Sequence, residues 1–351
     1  MKTTIYSLLV LLLFGCTTKI EKLTKAEDYE VFLIAENTAL THAKTDHSFW
    51  TNKLEKTPNQ FPYLAKLAGT QTQLFSTTGE INYLIQAENS LKQLNEKTDY
   101  NKSSYLRALA RNYISQHRFK EALILLEKAE ILSEDLESTQ KMLFDVHMEL
   151  GNNEKAKYYL ERIVDLKSFD FLIRTAKWND HKGNLTAAIK YMEQAMAKAE
   201  ASKIKSTMQW AYTNIADFYG HDGQIQKSYD YFLKALALNP NDAYAKRGIA
   251  WIVYSYENNP EEALRILNNI TTSYNAPDYY LLKAEIAEYL KDDEMKESYL
   301  ELYAEAVKNK QYGDMYNAYN VEVFAEKNPI QPLLLQSMKL KTELPHSLTI
   351  C

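Results

Sequence analysis

Between Tyr105 and Leu132 the chain reads YLRALARNYISQHRFKEALILLEKAEIL, and its apolar residues fall on two helical stripes. Leu106, Leu109, Ala110 and Tyr113 recur at three- and four-residue spacing in the first half, and Ala122, Leu126 and Ala129 do so in the second. The polar Gln116-His117-Arg118 separates them. This pattern predicts two helices joined by a tight turn. Ala110 and Ala122 are small where the axes would cross, which lets the helices approach closely.

The same unit returns along the chain. A small residue early in each second helix marks it: Ala122, Ala156, Ala188, Ser228 and Ala263, at intervals of 34, 32, 40 and 35 residues. Four places after each marker stands a large apolar residue: Leu126, Leu160, Met192, Phe232 and Leu267. Gly151, Gly183 and Gly223 each precede a marker by five, where a left-handed residue ends a helix. Weaker units flank these, at Leu64–Leu94 around Gly79 and at Asp278–Glu305 around Lys291-Asp292-Asp293. A first pair over about Asp28 to Lys56 has Trp50, Leu54 and Pro58 at its end. The 40-residue interval contains Ala199–Ser206, which predicts a longer second helix and a loop.

The unit resembles the tetratricopeptide repeat (TPR), whose W-x2-L-G-x2-Y…A-x3-F…P signature it follows with Leu and Ala substitutions; Pro240 falls at the family's inter-repeat proline. The resemblance implies an all-α TPR solenoid of antiparallel helix pairs in a right-handed superhelix, with first helices lining a concave face. It covers residues 28–308 and is clearest over 103–273. By the family pattern the groove-facing residues are Arg107, Arg111, Lys141, Asp145, Lys177, Asp180, Trp210, Thr213 and Asp217. They grade from basic at Arg107, Arg111 and Lys141 to acidic at Asp217. One reading is an ordinary solvated helix face; the other is a peptide groove in which Arg107 and Arg111 meet a carboxylate.

Composition narrows the function. The 351 residues carry 41 basic and 46 acidic side chains, a net charge of −5 without a long run of either sign, so no nucleic acid is expected as a partner. The 9 glycines and 8 prolines are few for so long a chain, which favours helices over many-turned β-structure. The seven histidines include no pair at i, i+4, and neither H-E-x-x-H, a Gly-rich phosphate loop nor G-x-S-x-G occurs. No metal site, cofactor or catalytic residue is expected, and the chain is read as a non-enzyme. The 26 tyrosines raise sugar stacking as an alternative, although Tyr113, Tyr219 and Tyr254 lie where a TPR core takes an aromatic.

The amino terminus changes the expected address. Lys2 precedes a hydrophobic run from Ile5 to Phe14 that is too short to span about 30 Å of hydrocarbon. It fits a secretory h-region. Leu13-Phe14-Gly15-Cys16 resembles the lipobox of bacterial lipoproteins, which implies a signal peptide over 1–15, acylation of Cys16 and a flexible tether over 16–27. Thr17, where an inner-membrane retention signal would place Asp, implies the outer membrane. At the other end, residues 309–351 read as an extra first helix, Gly313–Asn328, followed by an off-pattern tail. Pro329, Pro332 and Pro345 interrupt that tail, which ends in Cys351 and is either a divergent cap or the product of a frameshift or truncation. Together these readings give a lipid-anchored envelope scaffold that binds a protein or peptide partner; the alternative is a surface glycan- or ligand-binding lipoprotein.

Overall fold

The computed structural model describes residues 22–327. The expected signal peptide, Cys16 and the tail after Lys327 lie outside the described residues. Helix α1 (Ala26–Leu33) opens the described chain, and α2 (Thr38–Lys56) packs on α3 (Pro62–Thr78). From there helices pair in succession: α3 with α4 (Ile81–Glu96), α5 (Ser103–Ser115) with α6 (Phe119–Leu132), and α7 (Leu136–Glu149) with α8 (Asn153–Arg162). The series continues with α9 (Phe169–His181) and α10 (Leu185–Ser202), then α11 (Lys205–His221) and α12 (Ile225–Leu238). Next come α13 (Ala243–Ser255) with α14 (Pro260–Thr271), and α15 (Asp278–Tyr289) with α16 (Asp293–Val307). A short 3-10 turn, Lys310–Tyr312, leads to α17 (Asn317–Lys327).

The repeat markers explain the packing. Ala122, Ala156, Ala188, Ser228 and Ala263 are all buried, as are Leu126, Leu160, Met192, Phe232 and Leu267 one turn later. Gly151, Gly183 and Gly223 take φ of 70°, 73° and 75° in the turns between paired helices. His117 and Lys291 fill the same left-handed place in their own repeats, at φ of 57° and 59°. Where a glycine is missing from a turn, the geometry persists at some backbone cost. The long interval resolves as expected, with α10 running on to Ser202 and Lys203 ending it in the left-handed region.

Many of the tyrosines join repeats. Tyr159 donates its hydroxyl to Glu130 at 3.0 Å, Tyr212 to Glu200 at 2.9 Å and Tyr219 to Glu193 at 2.7 Å. In each case the ring packs against a neighbouring helix while the hydroxyl finds a carboxylate, an arrangement suited to an amphipathic side chain. Burial first, and then the carboxylate, pushes all three hydroxyls above the usual tyrosine value.

Two features depart from the sequence reading. The pair expected over Asp28–Lys56 does not form, because α1 docks on α12 and α14, more than 190 residues away in sequence. Residues 22–27 are likewise not a free tether. Leu23 N and Thr24 Oγ1 donate to the Glu257 carboxylate at 2.8 and 2.9 Å, and Thr24 is buried. Further along the arm, Tyr29 donates to Glu262 at 2.7 Å, Arg265 pairs with Glu30 at 2.6 Å, and Asn241 Nδ2 donates to the Glu36 carbonyl at 2.9 Å. Tyr29 and Leu33 are buried in the core formed by α11–α15. The apolar face of α1 thus finds its partner on the far repeats rather than on α2.

The two ends of the array also meet. Ile81 and Leu84 at the start of α4 cluster with Tyr303, Tyr312 and Tyr316, and Asn275 N donates to the Thr78 carbonyl at 2.7 Å. Gly79 lies in this seam at φ 69°, and a Cβ there would stand 3.0 Å from Ala276 N and 3.1 Å from Asn275 N, both backbone atoms. Gly79→Ala therefore meets a left-handed backbone and a rigid neighbour at once. We expect it to cost about 1–2 kcal/mol and to loosen the seam. Urea unfolding and small-angle scattering would read this as a lower midpoint and a larger radius of gyration. An unchanged radius would mean that the ends stay together without this close approach.

Candidate functional site

The first helices α11, α13 and α15, with α17 opposite, enclose a cleft of about 890 Å³. On α13, Tyr244, Arg247, Gly248 and Trp251 fall at i, i+3, i+4 and i+7, one stripe of a helix, and all four line it. Gly248 has a specific reason to be glycine, since a Cβ would stand 2.3 Å from the Phe232 ring, which fills that part of the floor. Helix α11 adds Asp217 and His221, and α15 adds Asp278, Glu285 and Glu288. Lys296 and Glu297 come from α16, and Tyr319, Glu322 and Val323 from α17.

The cleft is acidic, and its two cations are already engaged. Asp217, Asp278, Glu285, Glu288, Glu297 and Glu322 face Arg247 and Lys296, six against two, a formal excess of four negative charges. Arg247 pairs with Asp278 at 3.5 Å, and Lys296 with Glu288 at 2.6 Å. Asp217 accepts the Tyr244 hydroxyl at 2.6 Å. Burial pushes the Asp217 carboxyl up to about 7, with the Tyr244 hydrogen bond and Arg247 pulling it back. Two large aromatic side chains remain open inside this acidic wall: Trp251 is 42% exposed and Tyr244 48%.

The groove residues expected from the sequence separate into two groups. Asp217 alone among them lines the cleft. Arg107 binds the α6–α7 turn, donating to the Glu134 carbonyl at 2.9 Å, to Thr139 at 3.1 Å and to the Asp135 carboxylate at 2.9 Å. Lys141 lies between Glu137 at 2.7 Å and Asp170 at 2.9 Å. Asp145 is buried against Arg174 at 2.6 Å, and Lys177 is buried against Glu149 at 2.6 Å. Thr213 bonds its own helix backbone, and Trp210 packs edge-on against Phe169. Asp180 is half-buried, and burial raises its carboxyl while His221 and His181 lower it. Arg111 is exposed, with its guanidinium 4.0 Å from the Met142 sulfur. The basic end of the expected gradient is thus largely neutralised by the chain's own acids.

Sequence reasoning missed Tyr244, Arg247, Trp251 and the α15 carboxylates. Their signal was the polar-aromatic stripe of α13, which continues the first-helix series past Asp217. No cluster of three or more His, Cys, Asp or Glu side chains is arranged for a metal ion among the described residues. Among the same residues no helix is long and apolar enough to cross a membrane.

Comparison with known proteins agrees on the fold. The tetratricopeptide repeat family matches residues 211–242, the α11–α12 pair. Human IFIT1, solved as a dimer with PPP-AAAA, superposes with a TM-score of 0.54 at 16% identity, covering 82% of this chain and 70% of that one. A chain of the APC/C hetero-tetramer Cut9–Hcn1 gives a TM-score of 0.50 at 15% identity over 75% of this chain. The match spans 47%, about half, of the Cut9–Hcn1 chain's length. A tetratricopeptide repeat protein from Parabacteroides merdae has 17% identity and a TM-score of 0.46, covering 72% of this chain and 94% of that one. No curated protein matches the sequence. The fold is an all-α TPR solenoid, a framework that commonly mediates protein–protein interaction and is generally a non-catalytic scaffold.

Proposed function

We propose that this TPR solenoid is a non-catalytic adaptor of the bacterial envelope, held on the outer membrane by a lipid on Cys16 and binding a segment of a protein partner. The observation that carries the binding half is the cleft between α11, α13, α15 and α17, with Trp251 and Tyr244 exposed within it. A concave groove with open aromatic anchors and a charged rim suits an extended or helical peptide. An acidic wall repels a polyanion, which supports a protein rather than a nucleic-acid partner. The anchoring half rests on the Leu13-Phe14-Gly15-Cys16 motif. A lipid anchor confines the adaptor to two dimensions and raises its effective concentration toward partners on the same membrane.

Two measurements test this. Palmitate incorporation should be present in the full chain and lost in Cys16→Ala; an unlabelled parent removes the anchor. A photocrosslinking residue at position 251 should give discrete protein adducts in membranes, and one at exposed position 190 on α10 should not. The exposed Trp251 and Tyr244 also favour a second reading, a surface glycan-binding lipoprotein. Saturable binding on a glycan array, without protein adducts from position 251, would replace the adaptor.

A further inference from the structure

The adaptor reading leaves the chemistry of the bound segment open, and the cleft constrains it. Arg247 and Lys296 are each committed to a carboxylate, so neither offers an uncompensated charge to an anionic ligand. The surplus is negative and comes chiefly from Glu285 on α15 and Glu322 on α17, because burial keeps Asp217 on α11 partly protonated near neutral pH. A surplus of carboxylates alone would specify nothing, because a solvated acidic face is common. What distinguishes this one is its concave shape and its aromatic walls. The cleft of about 890 Å³ is roomy enough for several side chains of a peptide. Trp251 and Tyr244 stand open on the same wall as Arg247, one turn to either side of it. Exposed indole and phenol rings bordered by carboxylates favour ammonium and guanidinium groups, whose charge interacts with the ring face and whose alkyl stem covers it.

We propose, resting on the adaptor reading, that the cleft binds a basic peptide segment, placing a lysine or arginine side chain against Trp251 and Tyr244 with Glu285 and Glu322 as its counter-charges. This is opposite in sign to a groove built on Arg107 and Arg111. Arg107 is consumed in joining α5 to the α6–α7 turn, whereas the surplus in the cleft is not cancelled by its own cations. The long-range field of the surplus also steers a basic segment to the mouth before contact, so association slows as salt rises.

The test uses the full chain in detergent and fluorescence anisotropy with three dye-labelled 15-residue peptides. One alternates lysine and arginine with leucine, and the others replace the basic residues by glutamate or by glutamine. The basic peptide alone should bind saturably. Its dissociation constant should rise at least tenfold in Trp251→Ala and in Glu285→Gln with Glu322→Gln, while helical circular dichroism stays that of the parent. Equal binding of the glutamate or glutamine peptide overturns the charge assignment and leaves the adaptor reading standing. Basic-peptide binding that ignores both cleft variants overturns the location. Spermine displacing the peptide at equal or lower concentration makes the ligand a small polycation and overturns the peptide. Silence of all three peptides overturns this proposal, and adducts from position 251 in membranes would still report separately on the adaptor.

Discussion

Arg174→Met is expected to lower the unfolding free energy by about 3–5 kcal/mol, the usual cost of stripping one partner from a buried ion pair. The Arg174 and Asp145 side chains are each only 8% exposed, and Arg174 Nη2 stands 2.6 Å from Asp145 Oδ2. The guanidinium also donates to the Lys141 carbonyl at 3.1 Å, so it joins α9 to α7 at two points, and to the Asp170 carbonyl of its own helix at 3.0 Å. Methionine fills much of the volume and supplies none of these donors. The Asp145 carboxylate would then be left inside the protein with Lys177 as its remaining nearby cation. Burial already raises the Asp145 carboxyl against the pull of Arg174, and removing that pull drives it further toward the neutral acid. The double variant Arg174→Met with Asp145→Leu removes the stranded charge as well and should recover most of the loss. Urea unfolding of the parent, the single and the double variant reads this directly. A loss below about 1 kcal/mol in the single variant would place the pair among ordinary solvated ion pairs.

That pair also shows what the sequence could and could not say. Asp145 and Lys177 fall at groove positions by repeat register, and the register itself is sound because it rests on packing. A small residue such as Ala156 and a large one such as Leu160 must recur wherever two helices cross closely. Which charges face solvent is a different question, because each first helix packs on its counterpart in the next repeat. Arg107–Asp135 and Lys177–Glu149 are 28 residues apart, Lys141–Asp170 and Arg174–Asp145 are 29, and Tyr244–Asp217 are 27. These separations are about one repeat less one or two helical turns. Complementary residues at that offset are therefore a readable sign that a polar stripe is used internally. The docking of α1 and the reason for Gly79 have no such local sign. Both depend on small rotations summed over many repeats, which bring residue 79 to residues 275 and 276 only at the end of the array. The helix pairs and the clearest repeats are legible in the chain; the closure, and the cleft that α17 completes, emerge from the assembled geometry.

Lys283→Met should move stability the other way, raising it by about 2 kcal/mol at pH 7. Lys283 is 3% exposed, and its ammonium donates to Thr271 Oγ1 at 2.6 Å and lies 5.4 Å from the ring centres of Tyr280 and Tyr299. No carboxylate pairs with it among the described residues. Burial pushes its ammonium down from 10.5 to about 8. At 1.36 kcal/mol for each tenfold step, the displacement corresponds to a penalty of about 3 kcal/mol for holding the charged form inside. Losing the Thr271 hydrogen bond returns about 1 kcal/mol of that. The sign with pH follows from proton counts. Between pH 8 and 10.5 the unfolded chain keeps a proton that the folded chain has released, so the stability of the parent rises through this window. Below pH 8 both states are protonated and the penalty is present in full. The raised hydroxyls of Tyr279 and Tyr303 act oppositely above pH 10, where the unfolded chain loses tyrosine protons that the fold retains. Urea midpoints at pH 7 and 9.5 therefore separate the two effects. The parent should gain stability between these values, and Lys283→Met should lose the larger part of that gain while starting higher, the remainder coming from Lys246, whose ammonium burial also lowers. A methionine variant less stable than the parent at pH 7, with the rise unchanged, would mean that the Thr271 bond and the two rings compensate the buried charge in full.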